Sequence, residues 1–311
     1  MWDIFLNIVL LIIGMLFVIK GADFFVDGAS ALAEKFKIPS IIIGLTIVAM
    51  GTSAPEASVS IISAIKGSSG VAIGNIIGSN IANVFLILGL ASLISPLVIQ
   101  KNTIKYEIPF VGFITVLLGF FGWHFGQINR LAAFIFVVLF VLFLLYLFKI
   151  SKNIDEVDKS LSKMPVYKMI IFLIVGLAAL VYGSNLTVES AIAIAKIFHV
   201  SERIIGLTIV AFGTSLPELA TSCIASFKGQ NDIAVGNIIG SNIFNILFVL
   251  GLTGLICPIP FEHVFLFDCF VALMAAVGLF FYTYRTKTLA RFQGLSFLLL
   301  YVFYLGYLII K

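Results

Sequence analysis

Two glutamates stand where an acid is expensive. Glu56 lies in GTSAPE and Glu218 in GTSLPE, each within a long apolar stretch. An ionisable group at the centre of a bilayer costs about 2.5–3.5 kcal/mol even on the lenient insertion scale. One residue before each glutamate is a proline, Pro55 or Pro217. Its missing N–H leaves the carbonyl four residues back, Gly51 or Gly213, without a partner, and its ring clashes there, so each helix is predicted to kink or break. Thr52, Ser53, Thr214 and Ser215 add hydroxyls, and Glu56 follows Thr52 by four residues, on the same helix face. Carboxylates, hydroxyls and freed carbonyls are hard oxygen donors that suit sodium or calcium. The set contains no cysteine or histidine, which makes zinc or copper a poor fit.

A second pair of segments, GNIIGSNIANV and GNIIGSNIFNI, supplies the other wall. Ser79 and Asn83 are four residues apart, as are Ser241 and Asn245, so each pair presents two oxygens on one helix face. Asn75 and Asn237 recur one turn earlier and are read as helix-to-helix hydrogen-bonding residues rather than ion ligands. Asn80 and Asn242 fall off that face and are assigned no role. The assembled donors carry two negative charges, which one calcium or two sodium ions would balance equally. That equality is a physical basis for exchange, because bare negative charge in a low dielectric is costly.

The elements that must hold these residues are membrane helices. Of 311 residues 61% are hydrophobic and 11% charged, the mean hydropathy is +1.18, and soluble domains carry about 25% charged residues. A porin-like barrel is excluded, since its strands are about ten alternating residues long and the apolar runs here are about twice that. A net charge of +4 is too small a surplus for nucleic-acid binding. The segment from Met1 to Ile19 has no basic n-region and no small-residue cleavage site, so it reads as a first transmembrane helix rather than a signal peptide. Cys223, Cys257 and Cys269 have neither paired nor metal-ligand spacing and read as apolar fillers.

Ten transmembrane helices are expected, at about 4–33, 40–66, 71–97, 106–123, 129–149, 166–195, 202–228, 233–256, 263–283 and 289–310. The fold class is therefore an all-α polytopic membrane protein. Residues 44–90 and 206–252 match without a gap at an offset of 162, with 28 of 47 positions identical. The chain is an internal duplication: a five-helix repeat over 1–150, a linker at 151–165 and a second repeat over 166–311. Odd span numbers per repeat make the two copies enter the membrane in opposite directions, an inverted repeat. With both termini outside, predicted inner loops carry 13 Lys and Arg against 5 outside, so the positive-inside rule puts the central linker in the cytoplasm. Asp23 and Asp27 align with Asn185 and Glu189 at the same offset, and pairing of the two aspartates with Lys20 or neighbouring polar groups is expected.

GLTIVAMGTSAPE with GNIIGSNIANV, repeated as GLTIVAFGTSLPE with GNIIGSNIFNI, resembles the alpha repeats of the sodium/calcium exchangers of the cation/calcium antiporter superfamily, especially its short prokaryotic members. The resemblance implies a plasma-membrane antiporter moving three sodium ions against one calcium by alternating access, with the first and sixth helices sliding over a fixed core. Carried over residue by residue, it makes Glu56 and Glu218 shared ligands of both ions, and Thr52 and Thr214 backbone ligands of calcium. Ala49, Ser53 and Ser79 would line an inner sodium site. Ala211, Thr214, Ser215 and Ser241 would line an outer one, with Asn83 and Asn245 facing the middle. Some relatives have aspartate at the place of Asn245, associated with potassium, so asparagine here implies potassium independence. Sodium and calcium are cargo, and neither a cofactor, nor an enzymatic activity, nor an obligatory protein partner is expected. The alternatives are a cation/proton antiporter on the same scaffold, whose members typically carry GNxxE instead of GTSxPE, and, further off, a passive cation channel.

Overall fold

The computed structural model describes residues 2–153, 164–198 and 211–310. The first half runs α1 (Trp2–Phe36), α2 (Ser40–Thr52), α3 (Ala54–Ile65), α4 (Gly70–Ile94), α5 (Thr103–Phe125) and α6 (Arg130–Asn153). The second runs α7 (Val166–Ile197), α8 (Ala211–Thr214), α9 (Leu216–Phe227), α10 (Asn231–Ile256), α11 (Phe265–Thr286) and α12 (Arg291–Ile310). Among the described residues eight of these helices are long and apolar enough to cross a membrane, and α2 with α3 forms a further apolar pair bent by 48° at its break. The expected seventh helix, 202–228, begins outside the described residues and is represented by α8 and α9. The chain is an all-helical, multi-pass membrane protein.

The expected breaks occur, and they sit at the serines. Ser53 leaves helical geometry at φ −82°, ψ 8° and Ser215 at φ −90°, ψ 8°. Pro55 and Pro217 lie in the first turn of the helix that follows, where a missing N–H costs nothing because those donors have no intrahelical partner. The sequence pattern did not foretell the π-helical turns at Asn83–Leu88 in α4 and Phe244–Leu250 in α10. Such turns open the regular ladder and recur at functional sites.

Burial separates a centre from a periphery. In their most apolar windows α10 is 94% buried and α4 78%, whereas α1 is 17% and α12 17%. Around that centre α6 packs on α10 and α12 on α4, the same arrangement in the two halves, while α1 lies along α7. Gly21 and Gly176 allow that last pairing, since a Cβ on Gly21 would fall 2.8 Å from the Gly176 carbonyl oxygen. At 35 and 32 residues, α1 and α7 exceed the roughly 20 residues that span a bilayer and must tilt or project beyond it.

The helices α2 and α10 touch at Gly44 and Gly236. A Cβ on Gly236 would lie 2.8 Å from the Ile41 carbonyl oxygen and 2.9 Å from Gly44 Cα. Gly236→Val is therefore expected to push the two helices apart and destabilise the protein by about 1–3 kcal/mol, the range for overpacking. Thermal unfolding of the purified variant checks this, and an unchanged midpoint would contradict the close crossing.

Two short antiparallel ribbons tie the halves together. β1 (Leu97–Val98) pairs with β4 (Thr288–Leu289), and β2 (Gln127–Ile128) with β3 (Ile259–Pro260). The 23-residue α5 separates β1 from β2 by about 34 Å at 1.5 Å per residue, so the ribbons lie at opposite ends of the bundle. Asp23 and Asp27 do not pair with Lys20. Lys228, at the end of α9, donates to Asp27 Oδ1 at 2.6 Å and to the Asp23 carbonyl at 3.1 Å, and it forms an ion pair with both carboxylates. Sequence spacing favoured a partner on the same helix, whereas tertiary packing brought one from a different repeat.

Candidate cation-binding site

The breaks at Ser53 and Ser215 project each serine onto the glutamate of the opposite repeat. Ser53 Oγ donates to Glu218 Oε1 at 2.8 Å, and Ser215 Oγ to Glu56 Oε1 at 3.1 Å. Both glutamates are 1% exposed. Neutral hydroxyls orient these carboxylates without cancelling their charge, and no Lys or Arg ion pair to either acid occurs among the described residues. An uncompensated carboxylate in the bilayer interior calls for a cation or a proton.

Ser79 Oγ is 3.4 Å from Ser215 Oγ, and Ser241 Oγ donates to the Ala49 carbonyl at 3.5 Å. Each of these contacts joins residues that the family resemblance divides between the inner and outer sodium sites, so the two groups interlock across the centre. Ala211 opens α8, and its side chain lies outside the described residues.

The threonine hydroxyls meet the asparagines. Thr52 Oγ1 lies 3.0 Å from Asn237 Oδ1 and 3.3 Å from the Ala49 carbonyl, and Thr214 Oγ1 lies 3.4 Å from Asn75 Oδ1. Asn75 and Asn237 in turn donate to Ser60 and Ser222, at 3.0 Å each, and to the carbonyls of Glu56 and Glu218 at 3.3 and 3.4 Å. Both asparagines thus serve as helix-to-helix fasteners, the role expected of them. The threonine–asparagine, asparagine–serine and asparagine–carbonyl contacts each have a counterpart in the other half, so this part of the site is built twice.

Four oxygens at this centre are buried without a hydrogen-bond partner: Glu56 Oε2, Glu218 Oε2, Asn83 Oδ1 and Asn245 Oδ1. Buried polar atoms are normally satisfied. Two carboxylate and two amide oxygens left open form a donor set for a hard cation. Among the described residues no three of His, Cys, Asp and Glu come together as a transition-metal site would require.

Sequence reasoning missed Asn80 and Asn242, which meet at the very centre, each within hydrogen-bond reach of the other's backbone. The available signal was their position three residues before Asn83 and Asn245, identical in both repeats. It also missed two carboxylate–tyrosine pairs away from the site, Glu107 with Tyr146 at 2.6 Å and Asp268 with Tyr304 at 3.0 Å, which fasten α5 to α6 and α11 to α12.

Comparison with known proteins agrees with this geometry. The family model described as sodium/calcium exchanger protein matches residues 6–149 and 168–310. The chain is 39% identical over 308 residues to the putative antiporter CaxA of Alkalimonas amylolytica, covering 96% of each. It is 32% identical over 341 residues to the sodium/calcium exchanger MaX1 of Methanosarcina acetivorans, covering 96% of this chain and 97% of the other. A solved structure of the sodium-calcium exchanger NCX_Mj superposes with a TM-score of 0.86 at 31% identity, covering 98% of this chain and 99% of that one. With both halves matched and the site geometry in place, the chain belongs to the sodium/calcium exchanger family.

Proposed function

We propose that this protein exchanges sodium for calcium at the Glu56–Glu218 centre by alternating access, three sodium ions against one calcium, without potassium. The observation that carries the proposal is the set of four open, buried oxygens, two of them on carboxylates that no Lys or Arg among the described residues neutralises. Calcium takes about six to eight oxygens. The side-chain oxygens supply part of that shell, and the backbone carbonyls of Thr52 and Thr214, just ahead of the two helix breaks, are the candidates to complete it. The neutral Asn245 leaves the centre with two acids, enough for calcium and with no third charge to attract potassium. The relatives named sodium/calcium exchanger, MaX1 and NCX_Mj, support the choice of ions.

The proposed architecture has ten helices in two inverted repeats, with α8 and α9 as the visible part of the seventh. The ribbons support the inversion. At the offset of 162 the equivalent of β1 is β3, yet β1 pairs with β4 and β2 with β3, as happens only if equivalent ends face opposite sides. The 13-to-5 excess of Lys and Arg in the expected inner loops supports both termini outside and the 151–165 linker in the cytoplasm of a cell bounded by this plasma membrane. A single cysteine replacing Ser162, with the three native cysteines removed, is expected to react with a membrane-impermeant thiol reagent only from the cytoplasmic side. Labelling in intact cells would reverse the orientation.

The function is tested by calcium uptake into proteoliposomes. Uptake should require an outward sodium gradient in potassium-free buffer and should be absent with a proton gradient alone. Uptake driven by the proton gradient without sodium would replace this reading with the cation/proton antiporter.

A further inference from the structure

Four asparagine amides meet where α4 and α10 cross, and their orientation follows from two atoms that can only accept. Asn242 Nδ2 donates to the Asn80 backbone carbonyl at 3.3 Å, and Asn80 Nδ2 donates to the Asn242 backbone carbonyl at 3.2 Å. A carbonyl oxygen has no proton to give, so the NH2 end of each amide must face it. The oxygen ends of Asn80 and Asn242 are thereby turned outward, and each can bind only a donor. Asn83 Nδ2 donates to Asn242 Oδ1 at 2.9 Å, and Asn245 Nδ2 donates to Asn80 Oδ1 at 3.1 Å. This fixes Asn83 and Asn245 in turn. Their NH2 ends are spent on the central pair, and their Oδ1 atoms are the two that remain buried and open.

We propose that Asn80 and Asn242 are positioning residues that turn the amide oxygens of Asn83 and Asn245, rather than their NH2 groups, toward the transported ions. An amide is nearly symmetric in shape but opposite in polarity at its two ends. A flipped Asn83 would present N–H dipoles to a cation and repel it. The crosswise arrangement sets the polarity of each repeat from the other: Asn242 of the second repeat orients Asn83 of the first, and Asn80 orients Asn245. All four residues are between 1% and 3% exposed, so water competes poorly for these bonds. Their reciprocity makes the two halves of the site chemically alike, which an ion approached alternately from two sides requires. The inference rests on the cation-binding reading of the centre.

The test is a set of double-mutant cycles read by calcium binding to the purified full-length protein in sodium-free buffer, with thermal unfolding measured in parallel. Asn242→Ala should weaken calcium binding about tenfold, the scale of one lost oriented dipole. In an Asn83→Ala background the same change should weaken it no further, because there is no longer an amide to orient. In an Asn245→Ala background it should cost about tenfold again. Asn80→Ala should behave oppositely, silent in the Asn245→Ala background and costly in the Asn83→Ala one. Asn242→Ser, whose shorter side chain withdraws the acceptor, serves the same cycle if the alanine variant does not fold. A merely structural role would give the same loss in matched and mismatched backgrounds, following the thermal midpoint, and that pattern overturns the inference, as does no loss at all. Absence of calcium binding by the wild type would instead overturn the functional reading on which it rests.

Discussion

Glu56→Gln and Glu218→Gln are each expected to yield a folded protein that no longer exchanges calcium. The amide keeps the carboxylate's size, and its oxygen can still accept the hydrogen bond that Ser215 gives Glu56 or Ser53 gives Glu218, so packing between the repeats survives. What is lost is one of two charges facing a divalent ion in a site where both glutamates are 1% exposed. Removing one partner from a buried charge pair costs about 3–5 kcal/mol, which is at least about a hundredfold in affinity. Calcium counterflow in proteoliposomes reads the effect, with the thermal midpoint as the control for folding. Counterflow near the wild-type rate in either variant would remove the two-carboxylate site from the account.

The second large effect is expected at Asn245. Its amide donates to Asn80 and leaves one open oxygen. Asn245→Asp exchanges the donor for a second acceptor, so the bond to Asn80 Oδ1 becomes a repulsion between two oxygens, and it adds a third acid to a centre whose two charges calcium already balances. That charge needs a further cation or a proton. Exchange in potassium-free medium should therefore fall, become more pH-dependent than in the wild type, and recover in part when potassium is added. A pH profile that superimposes on the wild type, or a wild type that itself needs potassium, would show that Asn245 does not face the ions.

Much of this arrangement was legible in the sequence, for a physical reason. Glu56, Ser53 and Pro55, with their counterparts Glu218, Ser215 and Pro217, are residues that a membrane helix does not carry without local cause, and their duplication at a fixed offset marked them as one site. Where both ends of an expected helix fall in the described residues, its limits followed from apolar run length and agreed to within a few residues. The harder parts depended on tertiary geometry. Lys228 belongs to a loop by its local pattern, and only packing of α1 against α9 makes it the partner of Asp23 and Asp27. Asn80 and Asn242 lie off the face defined by Ser79 and Asn83 on a regular 3.6-residue helix, but the π-helical turns beginning at Asn83 and Phe244 interrupt that period beside them. A helical wheel assumes a regular ladder, which gives way here.

The central claim is that calcium and sodium occupy one shared centre between Glu56 and Glu218. Equilibrium binding of radioactive calcium to the purified wild-type protein, titrated with sodium chloride at constant ionic strength against choline chloride, addresses it directly. Sodium is expected to displace bound calcium completely and more steeply than one-for-one competition, because more than one sodium ion is needed to replace a divalent charge, while choline and potassium leave calcium in place. Calcium binding that is indifferent to sodium, or displaced equally by potassium, would contradict it.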